Sequence, residues 1–160
     1  MIPEVRSALR QENVGDRAQD GMDVYLCRVE ASRNRVIFAG AKRPLFMVKN
    51  GKAASEHGEL IQIKGDRKSI GGRQKEERRI FTSREISIQN GDMIYLTSDG
   101  FVDQANPDGK KYGSKRIRTV LESIARLDVE EQNETLLREL TGHQGGAEQR
   151  DDITMVGVKV

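Results

Sequence analysis

The chain has 160 residues, enough for one domain of ordinary size with a modest core. Only 36% of residues are apolar, and no run of 18 apolar residues occurs, which excludes a membrane-spanning helix. The formal net charge of +2 comes from 27 basic and 25 acidic side chains mixed along the sequence, so no positive stripe calls for nucleic acid. The one cysteine, Cys27, lies in an apolar stretch and has no internal partner. It reads as a structural thiol in a reducing compartment. The N-terminus carries no apolar signal segment, and the cytoplasm is the expected location.

In chain order, residues 2–12 are expected to be helical, with Val5, Ala8 and Leu9 on one side, and residues 13–21 to form a loop. Met22 to Val29 reads as a strand, and Arg33-Asn34 as the turn of a hairpin returning through Val36-Ile37-Phe38-Ala39. Leu45-Phe46-Met47-Val48 is a third strand, stopped by Asn50-Gly51, and Leu60-Ile61-Gln62-Ile63 a fourth. The glycine-bearing, charged stretch 64–79 reads as a loop or flap. Phe81 to Ile88 alternates as a strand, and Asn90-Gly91-Asp92 is expected to turn it into a hairpin with Met93–Thr97. The period then changes. Ile117, Val120, Leu121, Ile124 and Ala125 recur at helical spacing behind Ser114 as N-cap. Leu136, Leu137 and Leu140 mark a second helix ending before Gly142, and Ile153–Val160 is a closing strand expected beside the strand that leads to Asp99. The class is α+β: strands first, helices on one face, a final strand returning to the sheet.

The chemistry-bearing residues are aspartates. Asp99 ends the apolar segment Met93–Thr97 and precedes Gly100, expected to turn the backbone away and leave the carboxylate at the strand end. Asp151 and Asp152 are adjacent carboxylates at the start of the last strand, where their repulsion favours a nearby cation. Together these oxygens suit Mg²⁺ or Mn²⁺. Taken singly, Ser-Asp-Gly is common turn chemistry. Asp103, four residues beyond Asp99, sits one helical turn away; it would orient water or cap the turn. Asp20 and Asp23 read as turn and edge residues, Arg43 as a surface cation within reach of a phosphate. His57 and His143 are isolated, and neither a zinc spacing, a P-loop, a dinucleotide fingerprint nor a nucleophile elbow is present.

Several segments resemble one family in the right order. They are Asp20-Gly21-Met22-Asp23-Val24-Tyr25-Leu26-Cys27, Phe38-Ala39-Gly40-Ala41-Lys42-Arg43-Pro44-Leu45 and Lys68-Ser69-Ile70-Gly71, then Gly91 to Gln104, Asn106-Pro107-Asp108-Gly109-Lys110-Lys111-Tyr112-Gly113 and Arg150-Asp151-Asp152-Ile153-Thr154. The set resembles the SpoIIE/RsbU-type branch of the PP2C-like metal-dependent protein phosphatases. In Lys68–Gly71, serine stands where the family usually has proline.

The resemblance implies an antiparallel β-sandwich flanked by helices. It implies hydrolysis of phosphoserine or phosphothreonine on proteins such as anti-sigma-factor antagonists, by a water bridging two Mn²⁺ or Mg²⁺ ions. Asp99 and Asp151 fall on metal-binding aspartates of the family, Gly100 completes the Asp-Gly motif, and Asp152 takes the place where relatives often carry asparagine. The family's Gly-Asp-x-x-Gly-His-Gly segment, whose aspartate bridges both metals, has no counterpart here. Residues 1–160 are therefore expected to be the C-terminal portion of such a domain, N-terminally truncated, with at most a partial metal site. A second chain would then cover the exposed sheet, as in a homo-oligomer. Two functions stay open: a phosphatase domain that is catalytically incomplete in this chain, and a non-catalytic binding or regulatory module built on the same fold.

Overall fold

The computed structural model describes residues 21–50, 59–72 and 79–160. The expected helix at 2–12, most of the loop 13–21, the charged run 73–78, Asp20 and His57 lie outside the described residues. The chain divides into two compact units, Met1–Leu45 with Lys64–Ser87, and Phe46–Ile63 with Ile88–Val160.

In the first unit, β1 (Gly21–Met22) and β2 (Val24–Glu30) lead into a one-turn 3-10 connection, Ala31–Arg33, and β3 (Arg35–Ala41). Asn34 takes the left-handed conformation at φ 48°, and its N–H closes the turn on the Ala31 carbonyl at 3.0 Å. The hairpin expected at Arg33-Asn34 is formed, with β2 and β3 antiparallel from Val24↔Ala41 to Glu30↔Arg35. Asn34 supplies the positive φ this turn requires more readily than other non-glycine residues.

The second unit is built on a four-stranded sheet. It uses β4 (Leu45–Lys49), β5 (Glu59–Ile63), β8 (Met93–Thr97) and β9 (Met155–Lys159) in the order β5-β4-β8-β9. Between β5 and β8 the chain runs through β6 (Ile70–Gly71) and β7 (Arg84–Ser87), both in the first unit; β6 pairs β1, and β7 pairs β3. The closing strand returns as expected, β9 lying antiparallel to β8 from Met93↔Lys159 to Thr97↔Met155.

The hairpin expected across Asn90-Gly91 does not form, because β7 pairs β3 whereas β8 pairs β4 and β9. The turn itself is present, closed by Asp92 N–H on the Gln89 carbonyl at 3.0 Å, but its other backbone groups reach the end of the chain. Gly91 N–H donates to the Val160 carbonyl at 2.6 Å, and the Asp92 carbonyl accepts from Val160 N–H at 3.0 Å. Turn chemistry is local; the choice of strand partner is not.

After β8 come α1 (Gly100–Asp103), α2 (Ser114–Ile124) and α3 (Val129–Gln144). Alternate residues of the strands, Phe46 and Val48 of β4 with Met93 and Tyr95 of β8, form one buried cluster with Ile117, Leu121, Ile124 and Ala125 of α2 and its end. The helical spacing read from the sequence therefore marks the core face, and Leu136 and Leu140 of α3 pack against the same cluster. Tyr95 inside this core donates to Oε1 of buried Gln132 at 2.8 Å, and burial pushes its phenol pKa up. No helix among the described residues is long and apolar enough to cross a membrane.

Two helix boundaries differ from expectation. Gly113, not Ser114, occupies the N-cap of α2 at φ 90°, a conformation that suits glycine, and no side chain caps it. Helix α3 continues through Gly142 to Gln144, with Gly145 as its C-cap. The cost of Gly142, about 1 kcal/mol against alanine, is offset by contacts in the last turn, where His143 Nε2 lies 3.1 Å from both the Gln104 and Lys110 carbonyls. At its start, Asp128 and Glu131 form a reciprocal capping box.

Candidate metal site

Asp99 lies between β8 and α1, half-buried, at the N-cap position with φ −76° and ψ −21°; its side chain does not cap the helix. Asp151 and Asp152 are exposed in the loop before β9, which begins at Met155 rather than directly at the pair. The two segments are fastened together. Ser98 N–H donates to the Thr154 carbonyl at 2.9 Å, Ser98 Oγ donates to the Asp152 carbonyl at 2.9 Å, and Thr154 N–H donates back to Ser98 Oγ at 3.0 Å.

Gly100 serves a different purpose from the one expected. It does not have a positive φ. What requires glycine is closeness: a Cβ there would stand 2.4 Å from the Asp152 carbonyl oxygen and 3.0 Å from Cγ1 of Ile153. The Asp-Gly pair is thus a contact motif, letting one loop lie flat on the other.

The donor set is two-sided. Asp151 Oδ1 accepts from Asp152 N–H at 2.8 Å, and Gln149 Nε2 donates to the Asp151 carbonyl at 3.0 Å. Among the described residues neither Asp151 nor Asp152 forms an ion pair. Hard carboxylate oxygens of this kind fit a divalent cation such as Mg²⁺ or Mn²⁺, which is held through one or two carboxylates with water completing the shell. Among the described residues there is no cluster of three or more His, Cys, Asp or Glu side chains that would hold a metal by itself.

The other candidates have partners of their own. Asp103 ends α1 exposed and pairs with Lys111 Nζ at 2.9 Å, which directs it to the loop after α1. In the first unit, Asp23 accepts from Ser69 Oγ and lies 3.7 Å from Lys42 Nζ and 4.0 Å from Arg43 Nη2. Asp23 and Arg43 thus meet in a loose ion pair. Cys27 is half-buried with its thiol pKa raised by burial, which keeps it protonated and fits a structural thiol. The Asn106–Gly109 turn is structural as expected: Asn106 Oδ1 accepts from Lys110 N–H at 2.8 Å and the Asn106 carbonyl from Gly109 N–H at 2.9 Å.

His143 belongs to a polar network rather than a ligand set. Arg116 Nη1 donates to its Nδ1 at 3.2 Å, so Nε2 carries the proton toward the two carbonyls. Arg116 also stacks 4.5 Å above Tyr112 and pairs with Glu139 at 2.9 Å, while Tyr112 Oη donates to Glu139 at 2.9 Å. Burial first, and then the bond to Glu139, pushes the Tyr112 phenol up to about 12. Burial works to raise the Glu139 carboxyl, but the bonds from Tyr112 and Arg116 outweigh it and hold the group below its usual range. A carboxyl lowered in the folded state contributes stability above its unfolded pKa and loses it as pH falls through the folded one. We therefore expect Tm to fall as pH drops through and below the ordinary glutamate range, and to fall less in Glu139→Gln, as measured by thermal unfolding across acid pH.

The residues missed from sequence are those that hold the loops. Ser98 adjoins Asp99, and its neighbour gave the only signal. Asp92 was visible only as a turn residue, yet it is fully buried.

The chain matches the family described as Stage II sporulation protein E (SpoIIE) over residues 4–160. No curated protein matches it. Among solved structures it is similar to the SiaA-PP2C domain of Pseudomonas aeruginosa, at 32% identity and TM-score 0.81, over 99% of this chain and 59% of that one. It shares its fold with the phosphatase domain of SpoIIE from Bacillus subtilis, at 16% identity and TM-score 0.62, over 99% of this chain and 64% of that one. The Mycobacterium tuberculosis serine/threonine phosphatase PstP/Ppp also has this fold, at 16% identity and TM-score 0.59, over 99% of this chain and 66% of that one. The chain thus spans 59% and 64% of the lengths of the first two. With a family match along almost its whole length and antiparallel sheets flanked by helices, the chain belongs to the SpoIIE family of PP2C-like phosphatase domains.

Proposed function

We propose that this chain serves metal-dependent hydrolysis of phosphoserine or phosphothreonine on a protein substrate, with Asp99 and Asp151 as metal ligands and Gly100 and Asp152 in support. The observation that carries the reading is the Ser98 junction, which joins the Asp99 turn to the Asp152–Thr154 loop in a chain of this family. A PstP catalytic domain of the same fold holds two manganese ions, which supports Mn²⁺ or Mg²⁺ as the cofactor. When bound, such an ion lowers the pKa of a coordinated water and screens the phosphoryl charge.

The chain's own residues prepare that place. Ser98 fixes the spacing of the two loops through both its backbone and its hydroxyl. Asp152 N–H holds Asp151 Oδ1, which orients that carboxylate. The substrate class is a cytoplasmic phosphoprotein of the anti-sigma-factor-antagonist kind, supported by the SpoIIE match.

A second reading is a non-catalytic binding or regulatory module, favoured by the lack, among the described residues, of a cluster of three or more His, Cys, Asp or Glu side chains. One assay separates them: Mn²⁺-dependent hydrolysis of a phosphoserine peptide and of an aryl phosphate, with Asp99→Asn beside the parent. The enzyme reading expects turnover that drops more than about 100-fold in the variant, beyond the usual loss for a residue outside the ligand set. No turnover at saturating Mn²⁺ supports the module, and turnover unchanged by Asp99→Asn removes Asp99 as a ligand.

A further inference from the structure

We propose that Gln104 is a positioning residue for the Asp99–Asp151 pair, an inference that rests on the metal reading above. Gln104 ends α1 and is 4% exposed. Its N–H closes the helix on the Gly100 carbonyl at 2.9 Å. Its side-chain Nε2 donates to the Ala105 carbonyl at 2.9 Å and to the Glu148 carbonyl at 3.2 Å. Both partners are carbonyls, which only accept, so the amide nitrogen must face them. Its own backbone carbonyl accepts from Tyr112 N–H at 2.9 Å and faces His143 Nε2 at 3.1 Å. One buried residue therefore ties α1 to α3 and to the loop that carries Asp151.

The placement of these ties gives the residue its meaning. On one segment Asp99 lies between Ser98 and Gln104. On the other, Asp151 lies between Glu148 and Asp152. Ser98 crosses to Asp152 and Thr154 at one end, and Gln104 crosses to Glu148 at the other. The two aspartates are thus enclosed by a double clamp: Ser98 holds the Asp152 side of the loop, and Gln104 holds Glu148, next to Ala147, which Gln144 at the end of α3 also binds. Removing such outer support typically weakens metal affinity 10–100-fold without touching a ligand.

Three variants of the full chain test this: Gln104→Met, which keeps the shape and loses the amide, Gln104→Asn as a milder change, and Gln132→Met as control. Gln132 is equally buried, donates to the Leu127 carbonyl at 3.0 Å and accepts from Tyr95, away from the clamp. The readouts are Mn²⁺ affinity by electron paramagnetic resonance, hydrogen exchange at the Ser98 and Thr154 amides without metal, and Tm. We expect Gln104→Met to weaken Mn²⁺ binding about 10-fold and to speed exchange at both amides, with Gln104→Asn intermediate. Gln132→Met should lower Tm and leave affinity and those amides unchanged. If both folded Gln104 variants keep the parent's exchange, or if Gln132→Met disturbs the two amides as much, the positioning role is wrong. A parent that binds no Mn²⁺ while Gln104→Met speeds exchange keeps the clamp and removes the metal reading.

Discussion

Asp92→Ala is expected to destabilise the chain by about 1.5–3 kcal/mol, the range for lost hydrogen bonds to a charged group. The carboxylate is fully buried and holds three donors. Lys49 Nζ and Gln89 N–H reach Oδ2 at 2.9 Å each, and Asn50 N–H reaches Oδ1 at 3.1 Å. Removing it takes one partner from the Lys49 ammonium and deprives the Asn50 and Gln89 N–H groups of their carboxylate acceptor, where water cannot fully replace the lost oxygen. Urea unfolding of parent and variant measures the difference directly. A loss below about 1 kcal/mol, the range of a surface pair, would mean that the carboxylate adds nothing beyond an exposed contact. The site should keep its local form, because Asp92 precedes β8 and Asp99 follows it.

Gly100→Ala is expected to act on the site itself. Its methyl group would meet the Asp152 carbonyl oxygen at 2.4 Å, a backbone atom that cannot rotate away. Overpacking of this kind costs about 1–3 kcal/mol. Relief requires the Asp99 and Asp151 loops to part, which breaks the Ser98 bonds to Asp152 and Thr154. Metal affinity should therefore fall about 10-fold or more, as for lost outer support. Gly142→Ala makes a fitting comparison, since a Cβ there meets nothing within 4 Å inside α3. That change should stabilise by about 0.5–1 kcal/mol through helix propensity and leave metal binding alone. Equal effects of the two substitutions would show that the close approach at Gly100 does not set the site.

Much of the fold was legible because its signals are local. The continuous apolar runs at Val36–Ala39 and Met93–Thr97, the Asn34 turn and the helical spacing of Ile117, Leu121 and Ile124 each declare one element. The return of β9 beside β8 was legible too, since an apolar strand after two helices has one obvious place to go. The false hairpin across Asn90-Gly91 shows where such reading stops: a tight turn was present, but the backbone groups beside it bond to Val160 and its side chain to β4. Helix ends failed for a related reason. Gly142 looks like a stop until His143 is seen to reach the Gln104 and Lys110 carbonyls.

At the candidate site, Asp99 and Asp151 were legible as carboxylates bounding apolar segments. What joins them was not. Ser98 and Gln104 act through hydrogen bonds to the backbone of residues far along the chain, and nothing in a residue's type announces a partner of that kind. Gly100 was recognised, but for backbone freedom, whereas the close packing against Asp152 is what its missing side chain allows.

The most direct test of the central claim is a Mn²⁺ titration of the parent, Asp99→Asn and Asp151→Asn, with circular dichroism to verify that all three fold alike. The account predicts saturable binding by the parent and a loss beyond about 100-fold in each variant, since removing a ligand should exceed the effect of removing its support. Parent and variants that titrate alike would contradict it.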